Sequence, residues 1–198
     1  LVYSYGVAYH MTGDRSYLDL ALAGTQVLFD EFLDAQTGLF HGYRSVSTGE
    51  PTGTVATVDV QKQSYGLLGP AFVYYLTHDE TLLARIESVA GAIDTQFGVG
   101  TAGTAYSRFA GETEASGRLV STLDPLNSYM QLMSTVAPEG GFDWKGKAID
   151  LARRIVAEHW VPEEGLFDTD LDSGTNENDF GHSAKSLWFV TLAAAEAG

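Results

Sequence analysis

His182 and Lys185 stand three residues apart in the stretch Asn178-Asp179-Phe180-Gly181-His182-Ser183-Ala184-Lys185-Ser186-Leu187-Trp188, which joins a polar loop to an apolar run ending at Ala195. On a helix this spacing puts both side chains on one face of the first turn. An imidazole titrates near neutral pH, so such a pair at the mouth of a buried helix has acid–base chemistry within reach. A histidine bonded to a loop carbonyl would give the same pattern. A run apolar on every side predicts a helix inside a large fold.

Polar residues open two other apolar segments. Gln61-Lys62-Gln63-Ser64-Tyr65 precedes one, and Leu123-Asp124-Pro125-Leu126-Asn127-Ser128-Tyr129-Met130-Gln131 begins another. If the segments are helices ringed about an axis, Lys62, Tyr65, Asn127, Gln131, His182 and Lys185 converge at one end. Buried polar groups need partners, and a hydroxyl-rich ligand supplies them as well as trapped water or mutual bonding does.

The elements that would position these residues repeat. Tyr9, Thr12, Asp14 and Leu18 recur as Tyr74, Thr77, Asp79 and Leu83, while Ala21, Leu28, Phe32 and Gly38-Leu39-Phe40 correspond to Ala148, Ile155, His159 and Gly165-Leu166-Phe167. Ile93, Phe97 and Gly103 fill the middle copy. Three units of about 65 residues and the start of a fourth make a stacking architecture, in which each unit needs neighbours to bury its apolar face.

Each unit reads as a helical hairpin. Apolar residues at 3-, 4- and 7-residue steps predict outer helices over Ser16–Phe32, Glu80–Phe97 and Trp144–Trp160. Inner helices, poor in charge and rich in aromatics, are expected around Val2–Met11, Gly66–Leu76, Leu126–Ala137 and Ser183–Glu196. Asp14 and Asp79 can cap outer helices, and Pro70 either starts or kinks its inner helix. Links from outer to inner helices are long, and loops of that length are commonly functional. They gather over the inner-helix N-termini, where Phe40, His41, Tyr43, Arg44, Tyr106, Arg108, Phe109, Arg118 and Phe167 are candidate walls of a pocket. For any one of them, packing or exposure is the commoner role.

Composition narrows the partners. Eleven Lys+Arg against 26 Asp+Glu give a formal charge of −15, which repels nucleic acid and anionic membranes. The absence of cysteine excludes disulfides and thiolate chemistry. No stretch suits a membrane span and Leu1–Tyr5 lacks the basic start of a signal peptide, so a soluble, cytoplasmic protein is expected. At 198 residues, one domain over 1–198 is expected. The chain opens and closes within helical patterns, as a piece of a longer protein would. A homodimer is compatible with all of this.

Tyr9-x-x-Thr12-Gly13-Asp14-x-x-Tyr17-Leu18, Lys62-x-x-Tyr65, Asn127-x-x-Met130-x-Leu132 and Gly181-His182 with Trp188 together resemble the N-acylglucosamine 2-epimerase family of sugar 2-epimerases and aldose–ketose isomerases. The resemblance implies an all-α fold, about three and a half hairpins of an (α/α)6 barrel, acting on a small-molecule sugar without metal or redox cofactor. His182 matches a family acid/base histidine, Asn127 a helix-start asparagine at the pocket and Tyr65 a pocket aromatic. The family's second catalytic histidine would fall beyond Gly198 and its pocket arginine before Leu1. Two positions depart: Gln131 replaces a histidine, and Lys185 a glutamate that would raise the pKa of the imidazole, where a charged ammonium would lower it.

The implied chemistry is removal of the proton at C2 of an open-chain aldose through an enediolate. Lys62, Asn127 and Gln131 would hold hydroxyls or the oxyanion, Tyr65 and Trp188 would offer apolar surface, and Lys185 would orient substrate or oxyanion. A glycoside hydrolase on the same toroid, using Asp124 and Asp179, and a non-catalytic sugar binder are the rivals. Asp168–Asp179 also resembles an EF-hand loop, with glycine displaced to position 7 and no glutamate at position 12; a solvated acidic loop is the plainer reading.

Overall fold

The computed structural model describes residues 1–52, 58–99, 105–175 and 177–198. Seven of its helical segments alternate inside and outside. Inner helices are α1 (Val2–Thr12), α3 (Val60–Thr77), the run formed by α5 (Leu119–Pro125), a π-helical turn (Leu126–Met130) and α6 (Gln131–Val136), and α8 (Phe180–Ala197). Outer helices are α2 (Arg15–Val27), continued by a π turn over Leu28–Phe32, α4 (Glu80–Phe97) and α7 (Trp144–His159). Inner helix packs on inner helix, α1 on α3, α3 on α5 and α6 on α8, with α2, α4 and α7 against their backs. The order is the expected (α/α) toroid, about three and a half hairpins of it.

The turns show why the sequence repeats. Thr12 and Thr77 each return a hydroxyl to the carbonyl four residues back, 2.7 Å to Ala8 and 2.9 Å to Val73. Asp14 then caps α2 through Ser16 N–H at 3.0 Å, and Asp79 caps α4 through Thr81 N–H at 2.8 Å. Between them Gly13 (φ 71°) and His78 (φ 52°) take the left-handed conformation that ends the inner helix. At the other end of the hairpins, the bridge Leu33↔Phe40 matches Trp160↔Phe167 of the antiparallel pair β5 (Trp160–Val161) and β6 (Leu166–Phe167), each with a left-handed glycine, Gly38 or Gly165, before it. Two more small antiparallel pairs, β1 (Tyr43–Arg44) with β2 (Pro51–Thr52) and β3 (Gly98–Val99) with β4 (Ala105–Tyr106), lie in the first and second long links. Gly103 lies outside the described residues.

The core runs between the two helix layers. Leu67, Ile86, Ile93, Phe97, Leu119, Leu123, Tyr129, Trp144 and Ile155 are fully buried. At the α1–α3 contact Gly6 faces Phe72 and Gly69 faces Val2, so that the backbones approach closely. No helix among the described residues is long and apolar enough to cross a membrane.

Several expectations are corrected. The second inner helix begins at Val60, capped by Asp59, and Pro70 sits in its interior rather than at its start. The third begins at Leu119, seven residues ahead of its expected start, and contains Pro125. Proline lacks the amide hydrogen of an ordinary turn, and the π turn follows directly; there the Asn127 amide and the Ser128 hydroxyl bond back to carbonyls of Leu123 and Asp124. Helix α8 is not enclosed: Phe180, Leu187 and Trp188 are 82%, 59% and 64% exposed, because α6 and α7 cover it from one side. The acidic loop is a chain of turns. Asp168 accepts from Asp170 N–H at 2.9 Å, Asp170 from Asp172 N–H at 3.2 Å, and Asp172 from Gly117 N–H at 3.3 Å, so their carboxylates serve separate backbone donors. Asn176 of that loop lies outside the described residues, among which no three His, Asp or Glu side chains converge as metal ligands would.

Candidate active site

Asp124 is the hub of the site. It is fully buried on the inner run and must find donors there, since an unpaired carboxylate in an apolar wall is very costly. Four arrive from three helices. Lys185 Nζ of α8 donates at 2.7 Å and Asn127 Nδ2, three residues on, at 3.0 Å, both to Oδ1. Gln61 Nε2 of α3 donates to Oδ2 at 2.6 Å, and Tyr65 one turn further along α3 reaches Oδ1 at 3.4 Å. Burial first, then the charge and hydrogen bond of Asp124, raise the Tyr65 phenol above its ordinary pKa. Ammonium, amides and phenol thus tie α3 and α8, near their N-terminal ends, to the last turn of α5.

His182 is on the same stripe of α8 as Lys185, one turn toward the mouth. Asp179 caps α8 by accepting His182 N–H at 2.7 Å through Oδ1, while its Oδ2 lies 2.5 Å from the ring Nδ1. These two bonds, the backbone one first, hold the Asp179 carboxyl below its usual pKa. A carboxylate is acceptor only, so Nδ1 carries the hydrogen and the lone pair of the neutral ring stands on Nε2. The imidazole is 39% exposed, open enough to meet a ligand. Asp179, three residues before His182, sets its carboxylate against that ring, and the Lys185 ammonium pairs with Asp124.

Four of the seven residues expected at the site, Tyr65, Asn127, His182 and Lys185, come together at this end. Three do not. Lys62 is turned about 100° from Gln61 and about 60° from Tyr65 around α3, and its Nζ lies 3.4 Å from its own cap Asp59, half exposed. Gln131, two turns deeper, donates to Glu196 at 2.6 Å near the C-terminal end of α8. Trp188 points away from the inner run and is largely exposed. Gln61 and the central role of Asp124 went unassigned at the sequence level. The signal was there: an aspartate in an otherwise apolar inner helix implies convergent donors on the neighbouring helices. Of the candidate pocket walls, Phe40, Tyr106 and Phe167 are core residues, His41 faces Asp34 at 3.5 Å, and Arg44 bonds the carbonyl of Glu31 at 2.8 Å. Arg108, Phe109 and Arg118 line a cavity of roughly 680 Å³ beside the site.

No family model matches the chain, and no curated protein matches it in sequence. Solved structures do match in fold. A cellobiose 2-epimerase from Bacillus thermoamylovorans B4167 superposes with a TM-score of 0.80 at 16% identity, over 100% of this chain and 54% of that one. A sugar epimerase from a ruminal bacterium gives 0.73 at 16%, over 100% and 53%. A GH76 alpha-mannanase from Bacteroides thetaiotaomicron gives 0.68 at 15%, over 99% and 50%. The chain spans about half the length of these structures, and at such identity the likeness is one of fold: this is a partial (α/α)6 toroid.

Proposed function

We propose that the chain carries half of the active site of a carbohydrate isomerase or 2-epimerase, with His182 as the group that moves the proton. The observation that supports this most is the His182–Asp179 pair, an imidazole with its tautomer fixed and its free nitrogen on the stripe that leads to Asp124 and Lys185. In an open-chain aldose the carbonyl acidifies the C2 hydrogen. Nε2 of His182 takes that hydrogen, leaving an enediolate whose oxyanion is neutralised by a donor of the Lys185–Asn127 kind. Return of the proton from the same imidazole to C1 on the same face, with the O2 hydrogen passing to O1, gives the ketose. Epimerisation needs a second acid on the opposite face. General acid–base help of this sort is worth roughly 10²–10⁴-fold.

The fold likeness to a cellobiose 2-epimerase and to a second sugar epimerase supports a sugar substrate. The likeness to an alpha-mannanase keeps hydrolysis as the second reading, with Asp124 and Asp179 as its carboxylates. Against it, Asp124 is occupied by four donors, one an ammonium, and is poorly placed to give a proton to a leaving group. Incubating the purified protein with mannose, glucose or cellobiose in D2O separates the two. Deuterium at C2 of recovered sugar supports isomerisation; new reducing ends from a mannan or cellobiose without C2 exchange overturn it in favour of hydrolysis.

A further inference from the structure

The loop after β4 crosses the start of α3, where the Arg108 carbonyl accepts Val60 N–H at 3.0 Å. Next to it the Arg118 segment crosses Asp170 at the start of α5. Arg108 and Arg118 are thus brought to the same mouth by two neighbouring loop segments. Both line the cavity of roughly 680 Å³, and both also line a narrow cleft with Gln61 and Ser121. Gln61 is the residue that donates to Asp124, so the arginines stand at the outer end of a polar path that begins at the candidate active site.

Arg108 makes no ion pair among the described residues; its guanidinium lies 4.9 Å from the centre of the Phe109 ring. Arg118 has one loose partner, Asp170 Oδ2 at 4.0 Å. The other acids of the cavity are partly engaged with backbone: Glu112 accepts Phe109 N–H at 3.1 Å and Asp172 accepts Gly117 N–H, while Glu114 is exposed. A guanidinium fork matches a planar carboxylate or a tetrahedral phosphate ester in both geometry and charge. Glu112, Glu114, Asp170 and Asp172 outnumber the two arginines in the wider cavity, whereas in the narrow cleft the two forks meet only Asp59, so the local excess of positive charge is confined to that cleft.

We propose that the sugar taken by this site bears an anionic substituent, bound by Arg108 and Arg118 at the mouth while the sugar itself reaches toward Asp124. The inference rests on the reading of the site as a sugar pocket and names its substrate class. It is tested by titration calorimetry of the purified protein with glucose, D-glucuronate and glucose 6-phosphate, and with inorganic phosphate as the free-anion control. At least one anionic sugar should bind about tenfold or more tightly than glucose, and Arg108→Gln should remove most of that advantage while glucose affinity changes less than about twofold. Preference for glucuronate assigns the substituent as a carboxylate, and preference for the phosphate ester as a phosphate. Arg108→Lys, which keeps charge without the fork, should retain part of the advantage and serves if the glutamine variant fails to fold. The proposal is overturned if glucose binds as well as both anionic sugars, if none of the sugars binds, if Arg108→Gln and Arg118→Gln leave the preference intact, or if inorganic phosphate binds as tightly as the sugar phosphate. His182→Gln should keep the anionic preference while losing C2 exchange; an anionic preference in the natural protein without any C2 exchange would sink the isomerase reading and leave the subsite standing.

Discussion

Replacing Asp124 by alanine would leave the Lys185 ammonium facing the apolar inner run together with two amides and a phenol that have lost their acceptor. Removing one member of a buried ion pair generally costs about 3–5 kcal/mol. Here the Lys185 side chain is 27% exposed while Asp124 is 1%, so the lysine can recover part of its hydration and the expected loss is about 2–4 kcal/mol. Lys185→Met is the milder change: Asp124 keeps Gln61, Asn127 and Tyr65, and the loss should be about 1–3 kcal/mol. If the two groups hold the helix ends together, the double variant will be more stable than the sum of single losses predicts, by about 1.5 kcal/mol or more. Urea unfolding followed by far-ultraviolet circular dichroism on the four proteins gives this number. Additive losses within about 0.5 kcal/mol would refute the hub at the centre of the site.

Other perturbations probe the rest of the architecture. His159 is buried, with Nδ1 2.8 Å from the Asp168 carbonyl, and burial lowers its pKa. The unfolded chain therefore takes up a proton below about pH 6.5 that the native state resists, and stability falls with acid by at most about 1.4 kcal/mol per pH unit. His159→Phe, which restores the aromatic found at Phe32 and Phe97, should flatten the dependence of the thermal midpoint on pH between 7 and 5; an unchanged slope would refute this. Gly69→Ala would set a Cβ 2.6 Å from Val2 Cβ and 3.2 Å from Tyr3 N, and should cost about 1–3 kcal/mol, whereas Gly91→Ala on α4 meets nothing within 4 Å and should stabilise by up to about 1 kcal/mol. Equal thermal midpoints for those two variants would contradict the close α1–α3 contact. Asp179→Ser keeps a capping oxygen but takes the carboxylate from His182; thermal stability should stay within about 1 kcal/mol while any C2 exchange falls about tenfold or more.

Much of the fold was legible because the same physical problem is solved repeatedly. Thr-Gly-Asp and Thr-His-Asp spell out a back-bonded threonine, a left-handed stop and a cap in consecutive letters, and Gly38 and Gly165 mark the same turn. Outer helices were readable from their one-sided apolar stripes. The starts of the second and third inner helices were not. Pro125 looks like a breaker, yet the π turn absorbs its missing donor, and the two-residue strands are fixed by loop bonding that leaves no periodicity. At the site, the residue types near each helix start were readable but their rotation was not: a shift of one position around α3 sends Lys62 to its own cap and Gln61 to Asp124. Gln131 was misplaced for a related reason, because a helix start set too late put it two turns nearer the mouth. The outward face of α8 was read as core because hydrophobicity reports what a helix buries without saying which neighbour buries it.

The central claim is that the His182 imidazole moves the proton. The rate of deuterium appearance at C2 of a sugar substrate in D2O, compared between the natural protein and His182→Gln, measures it directly. A fall of about 10²-fold or more with an unchanged circular dichroism spectrum and melting midpoint is the predicted result. Exchange that continues at the natural rate in His182→Gln would contradict it.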